Sequence, residues 1–154
     1  MEKHLKLLLI EDNDDDAALL QHHLEREGFV VFLDRIDNGQ DMQERLKNHL
    51  YDLIICDFRL PKFSGEHALE IFKSSGLDIP FILVSGTIGE EVAVGMMKAG
   101  AHDYIMKDQL RKIGPAVTRE LREASLRQHR RQTIEELKLA KEKAEQSDHL
   151  KSTL

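Results

Sequence analysis

The 154-residue sequence has a single cysteine, three prolines and no tryptophan, and its other aromatic residues are six phenylalanines and two tyrosines. One cysteine, Cys56, cannot close an intrachain disulfide, which excludes the disulfide-stapled frameworks of small secreted domains. Nowhere does the chain approach the roughly 18 consecutive apolar residues that a membrane-crossing helix needs. The residues after Met1 are charged and run straight into a short apolar segment, without the hydrophobic stretch and small-residue cleavage site of a signal peptide. A cytoplasmic chain with no membrane segment is therefore expected. The length suits one α/β core with a modest appendage, since domains cluster at about 100–150 residues.

The net charge of −6 conceals a split. Residues 1–110 carry 11 Lys and Arg against 21 Asp and Glu, or −10, whereas residues 111–154 carry 11 against 7, or +4. Such block asymmetry separates a folded body from an interaction or linker segment. It places a boundary near residue 125, with residues 1–125 as the domain and 126–154 as a helical connector.

Within the body, short apolar runs alternate with helical patterns, the signature of repeated βα units around a parallel sheet. Leu5 to Ile10, Val30 to Leu33, Leu53 to Cys56, Phe81 to Val84 and Tyr104 to Met106 read as strands, and their near-continuous hydrophobicity predicts burial on both faces. Asp14–Glu27, Gln40–Asn48, Glu66–Ser74 and Glu90–Lys98 read as helices, as in the spacing of Ala68, Leu69, Ile71 and Phe72. Gly28, Gly76 and Gly100 follow three of them, where a left-handed residue commonly ends a helix. With the C-terminal segment, five strands and five helices result.

Ligands of an open parallel sheet bind beyond the carboxyl ends of its strands. Strand one ends in Glu11 and Asp12, strand three in Asp57, strand four in Ser85, Gly86 and Thr87, and strand five in Lys107. Three carboxylates, a hydroxyl and an ammonium therefore share one rim. Clustered carboxylates repel unless protonated or bound to a cation, and oxygen ligands of this kind favour Mg²⁺. With a cation present, Asp57 can act as a nucleophile toward phosphorus, while Lys107 and Ser85 share the charge of the phosphoryl oxygens.

These residues resemble the receiver domain of response regulators over roughly residues 4–125. The pattern consists of Glu11-Asp12, Asp57-Phe58-Arg59-Leu60-Pro61 with Gly65, Ser85-Gly86, and Tyr104 three residues before Lys107. The resemblance implies a flavodoxin-like, doubly wound (βα)5 fold, a five-stranded parallel sheet of order 2-1-3-4-5, here with an extended C-terminal helix. It implies that Asp57 is phosphorylated, and that Asp12, Asp57 and the Arg59 backbone carbonyl bind Mg²⁺ or Mn²⁺, with Glu11 assisting. Ser85 would bind the phosphoryl group and Lys107 would pair with it. Tyr104 would follow Ser85 as the switch aromatic, and Arg59 and Thr87 would tune phosphoryl lifetime. The implied phosphodonor is a histidine kinase or a histidine phosphotransfer protein.

Two positions depart from the family pattern. Asp108 follows Lys107 where receivers usually carry proline, so the cis peptide of that loop is not assured. Glu11 replaces an aspartate, moving the carboxylate outward by one methylene. Among the remaining residues, Asp14-Asp15-Asp16 reads as the acidic first turn of a helix and as structural. Cys56 reads as a small buried hydrophobe, and the eight histidines as surface residues. Gly86-Thr87-Ile88-Gly89 lacks the spacing of a nucleotide-binding loop.

From Pro115 to about Gln146 no glycine or proline interrupts a sequence rich in Glu, Lys, Arg, Leu and Ala, which predicts one long helix. Val117 and Leu121 should pack on the sheet. Ile134, Leu137 and Ala144 form a partial heptad, interrupted by Lys141, that points to a weak coiled coil and a homodimer. The basic cluster Arg127–Arg131 reads as a solvated face, not a nucleic-acid site, because no helix-turn-helix follows. The last residues, from Leu139, resemble the segment leading into the dimerisation helix of sensor histidine kinases, which makes a truncated receiver-linked or hybrid kinase the expectation. Two other classes remain: a scaffold receiver that is never phosphorylated, and an enzyme of the aspartate-nucleophile phosphatase type. The latter normally needs a second acid where Arg59 stands.

Overall fold

The computed structural model describes residues 2–48, 50–86 and 89–152, with side chains described as far as residue 148. The chain divides into two compact units, Met1–Leu121 and Arg122–Leu154. In the first, strands β1 (Lys3–Ile10), β2 (Phe29–Ile36), β3 (Leu53–Asp57), β4 (Phe81–Ser85) and β5 (Asp103–Met106) alternate with helices α1 (Asp14–Arg26), α2 (Gly39–Asn48), α3 (Gly65–Ser75) and α4 (Glu90–Ala99). A short 3₁₀ helix, Lys107–Lys112, then leads into α5, Ile113–Ser152. The sheet has the order β2-β1-β3-β4-β5, and all four neighbouring pairs are parallel. The expected doubly wound order is thus the observed one.

Alternation along the central strand explains the two layers. Leu5, Leu7 and Leu9 of β1 point to the side where Ala17, Leu20 and Leu24 of α1 meet Ile113, Ala116 and Val117 of α5. Leu8 and Ile10 point the other way, against Met42 and Leu46 of α2, Ala68 and Leu69 of α3, and Met96 of α4. Successive residues of a strand face opposite sides, so only a strand covered on both faces is apolar throughout. β3 and β4 are buried at every position. The expectation of two-sided burial fails for the edge strands. β5 has one buried residue in four, and in β2 the Phe32 ring is exposed and stacks on His4, because an edge strand meets fewer covering helices.

The helix ends follow local chemistry. Asn13 caps α1 by accepting from the Asp16 N–H at 2.9 Å, and Ser64 caps α3 by accepting from the His67 N–H at 3.1 Å. Gly76 ends α3 with φ +73°, the left-handed conformation that a side chain disfavours. Helix α5 starts at Ile113, so Pro115 lies in its first turn, where no N–H is missed. The 3₁₀ helix before it was not expected. The Lys107–Asp108 peptide is trans, in keeping with aspartate in place of proline. His102 departs from the surface reading: it accepts the Phe81 N–H at Nδ1, 2.9 Å away, and so fixes the start of β4.

The second unit is helical as far as Ser152, and Ile134, Leu137 and Leu139 are exposed along it. Among the described residues, no helix is long and apolar enough to cross a membrane.

Candidate functional site

Strand register brings the site together. Ile10 pairs with Cys56, so Glu11 emerges beside Asp57; Asp57 pairs with Val84, so Ser85 follows; Ser85 pairs with Met106, so Lys107 comes next. Four separate sequence segments thus end on one edge of the sheet, as parallel strands with crossover helices require. Glu11, Asp12 and Asp57 each present a carboxylate oxygen, and these oxygens lie within 4.8 Å of one another. Glu11 and Asp57 are buried, Asp12 is exposed, and Ser85 is buried at the end of β4.

Lys107 sits among the carboxylates. Its Nζ donates to Asp57 Oδ2 at 3.0 Å and lies 3.3 Å from Glu11 Oε2. It also donates to Asp16 Oδ2 at 2.7 Å, the shortest of the three contacts. The reading of Asp16 as purely structural is therefore corrected: the first turn of α1 stands over the strand ends and turns this carboxylate into the cleft. Asp14, two residues earlier, pairs instead with Arg35 of β2. Asn13 likewise does more than its lack of charge implies, because its N–H donates to Glu11 Oε1 at 3.2 Å while its side chain caps α1.

The electrostatics show a cleft with too much negative charge. Burial, and then the neighbouring Asp57 charge, raises the Glu11 pKa to about 7. Burial opposes the charge of Lys107, but its bonds to Asp16 and Asp57 and the charges of Asp57 and Glu11 outweigh that and lift its pKa above the ordinary lysine value. A hard divalent cation fits such a donor set, with clustered carboxylate oxygens of which one holds its proton near neutrality in the absence of metal. Cys56, fully buried, donates its Sγ–H to the Asp57 carbonyl at 3.2 Å; burial and the adjacent Asp57 and Glu11 push its thiol pKa up. Cys56 is buried, as expected of a small hydrophobe.

The loop after β3 wraps Asp57. The Arg59 N–H donates to Asp57 Oδ1 at 3.3 Å, Gly65 N–H donates to the Phe58 carbonyl at 2.9 Å, and Arg59 and Ser64 form an isolated antiparallel bridge. Gly65 permits this closure, since a Cβ there would lie 2.8 Å from Phe58 Cδ2 and 3.1 Å from its Cα. Tyr104 is half-buried against the layer of α3 and α4, and burial followed by the nearby Asp108 charge raises its pKa. Thr87 lies outside the described residues.

Residues 7–118 match the response regulator receiver domain family, and the chain belongs to that family. Among curated relatives, it is 32% identical over 103 residues to the cell cycle transcriptional regulator CtrA of Caulobacter vibrioides, covering 67% of this chain and 44% of CtrA. It is 28% identical over 105 residues to the transcriptional regulatory protein ZraR of Klebsiella oxytoca, covering 68% of this chain and 23% of ZraR. The chain thus spans less than half the length of either relative. Among solved structures, the signal receiver domain of a putative LuxO repressor protein from Vibrio parahaemolyticus superposes with a TM-score of 0.72 at 25% identity, covering 81% of this chain and 95% of that one. The receiver domain of a sensor histidine kinase from Pseudomonas aeruginosa, with a magnesium ion coordinated in its active site cleft, gives a TM-score of 0.64 at 23% identity, covering 77% and 98%.

Proposed function

We propose that this chain is the phosphoacceptor switch of a two-component phosphorelay, taking a phosphoryl group onto Asp57 from a phosphohistidine of a histidine kinase or histidine phosphotransfer protein. The observation that carries this reading is the setting of Asp57: a buried carboxylate at a strand end, bonded to Lys107 and grouped with Glu11 and Asp12. An Asp57 oxygen attacks phosphorus, the N–P bond of the donor breaks, and its electron pair returns to the imidazole nitrogen, which then takes up a proton. Lys107 pairs with the phosphoryl oxygens and the Ser85 hydroxyl donates to another. Asp12, Asp57 and the Arg59 carbonyl, assisted by Glu11, would hold Mg²⁺ or Mn²⁺. When bound, the ion neutralises cleft charge and polarises the phosphoryl group.

In this reading Ser85 moves toward the new phosphoryl group and Tyr104 changes rotamer. The population of one surface formed by α4, β5 and α5 then rises at the expense of another. Arg59 and Thr87 adjust how long the phosphoryl group survives. Residues 126–154 act as the connector to an output or kinase module, and the exposed Ile134 and Leu137 support pairing with a second copy.

The test is intact-mass spectrometry after incubation with Mg²⁺ and acetyl phosphate, comparing wild type with Asp57→Asn. A phosphate-sized gain that needs the metal and disappears in the variant is expected. No gain in a protein shown to bind Mg²⁺ would move the scaffold reading to first place.

A further inference from the structure

Among the described residues, Lys107 has three acidic partners, and two of them have other duties. Asp57 is the proposed acceptor, and both it and Glu11 face the proposed cation. Asp16, the nearest partner at 2.7 Å, has neither role and belongs to α1. Its place is fixed by a chain of contacts. Glu11 Oε1 accepts the Asn13 N–H at 3.2 Å, Asn13 Oδ1 accepts the Asp16 N–H at 2.9 Å, and Asp16 Oδ2 accepts from Lys107 Nζ, which returns to Glu11 at 3.3 Å. Lysine has a flexible four-carbon stem and a compact, strongly hydrated charge, so an ammonium released by Glu11 and Asp57 tends to swing toward water. Lys107 is only partly shielded from it, with 26% of its side chain exposed.

We propose that Asp16 is a positioning residue for phosphoryl transfer: its carboxylate keeps the Lys107 ammonium at the cleft while Glu11 and Asp57 are engaged by the cation and the phosphoryl group. The inference rests on the phosphoacceptor reading and adds to it a residue that never touches the phosphoryl group. Asp15, in the same acidic first turn, supplies the control, since it contributes helix-start charge without contacting Lys107. A helix-start role predicts equal effects at both positions; a positioning role predicts an effect at Asp16 alone.

The experiment measures the initial rate of Asp57 phosphorylation by acetyl phosphate at saturating Mg²⁺ in wild type, Asp16→Asn, Asp16→Glu and Asp15→Asn, with a thermal melt of each. Asp16→Asn should slow the reaction by about three- to tenfold, the scale of losing the ordering of one rotamer-rich side chain. Asp16→Glu should restore most of the rate, and Asp15→Asn should leave it near wild type. NMR relaxation of the Lys107 ammonium in Mg²⁺-loaded wild type gives a readout that needs no variant: an ordered ammonium is expected, and a freely rotating one overturns the proposal. Equal slowing at Asp15 and Asp16, or an unaffected Asp16→Asn, also overturns it. A wild type that binds Mg²⁺ but takes up no phosphoryl group sinks the phosphoacceptor reading as well, whereas normal wild-type uptake confines any failure to Asp16.

Discussion

Replacing Glu11 with glutamine removes a buried charge while keeping the side-chain length and an oxygen for the Asn13 N–H. In the metal-free protein the Glu11 pKa stands at about 7 against an ordinary 4.5, raised by burial first and by Asp57 second. At about 1.4 kcal/mol per pH unit, that gap corresponds to about 3 kcal/mol. Between the two values the unfolded chain has released the proton and the folded chain retains it. Stability therefore falls as pH rises from about 4.5 to about 7 and levels off above. The glutamine variant lacks this titration, so its stability relative to wild type should climb by up to about 3 kcal/mol between about pH 4.5 and pH 8. Urea denaturation followed by far-ultraviolet circular dichroism, with EDTA present, measures the difference at several pH values. A difference that stays constant across that range refutes the account of a charge-crowded cleft. Saturating Mg²⁺ should shift the difference at pH 8 toward the wild type, because a ligand that binds only the folded state stabilises it and the wild type keeps the full set of carboxylates facing the ion.

Three further outcomes follow from packing, helix propensity and burial. Gly65→Ala forces a Cβ to within 2.8 Å of the Phe58 ring and 3.1 Å of its Cα, so it should cost about 1–3 kcal/mol in urea denaturation. Gly95→Ala, inside α4 with nothing within 4 Å of the new Cβ, should instead stabilise by about 0.5–1 kcal/mol. Cys56 is fully buried with a raised pKa, so the native protein should leave an aromatic disulfide reagent unreacted and consume one equivalent after denaturation. Rapid stoichiometric labelling of the native state would show that the loop after β3 opens far more readily than its bonds to Arg59 and Gly65 imply.

The rim of the sheet was legible because each of its residues lies directly after an apolar run. Glu11 follows β1, Asp57 and Ser85 close β3 and β4, and Lys107 follows β5, so strand ends alone place them together. Asp16 was not legible in this way. In sequence it is one of three aspartates in a helical first turn, and the favourable interaction of that turn with negative charge explains all three equally well. Which of them reaches Lys107 depends on how α1 is rotated over β1, and that rotation is set by Ala17, Leu20 and Leu24 packing against α5 and the sheet. The 3₁₀ helix at Lys107–Lys112 escaped for a related reason: its residues carry no distinct periodicity, and the turn is dictated by where β5 ends and where α5 begins to pack.

Short apolar runs and helical patterning in the sequence determined the five βα units, the parallel sheet and the edge on which Asp57 meets Lys107, since burial on both faces leaves a direct mark on residue type. The tertiary structure decided what proximity alone controls. It exposed Phe32 on the edge strand β2, carried the Asp16 carboxylate to Lys107, and buried Glu11 beside Asp57 until its proton affinity reached the neutral range. Charge coupling and desolvation depend on distances of a few ångströms between segments far apart in the chain, and such distances come into being only when the layers pack.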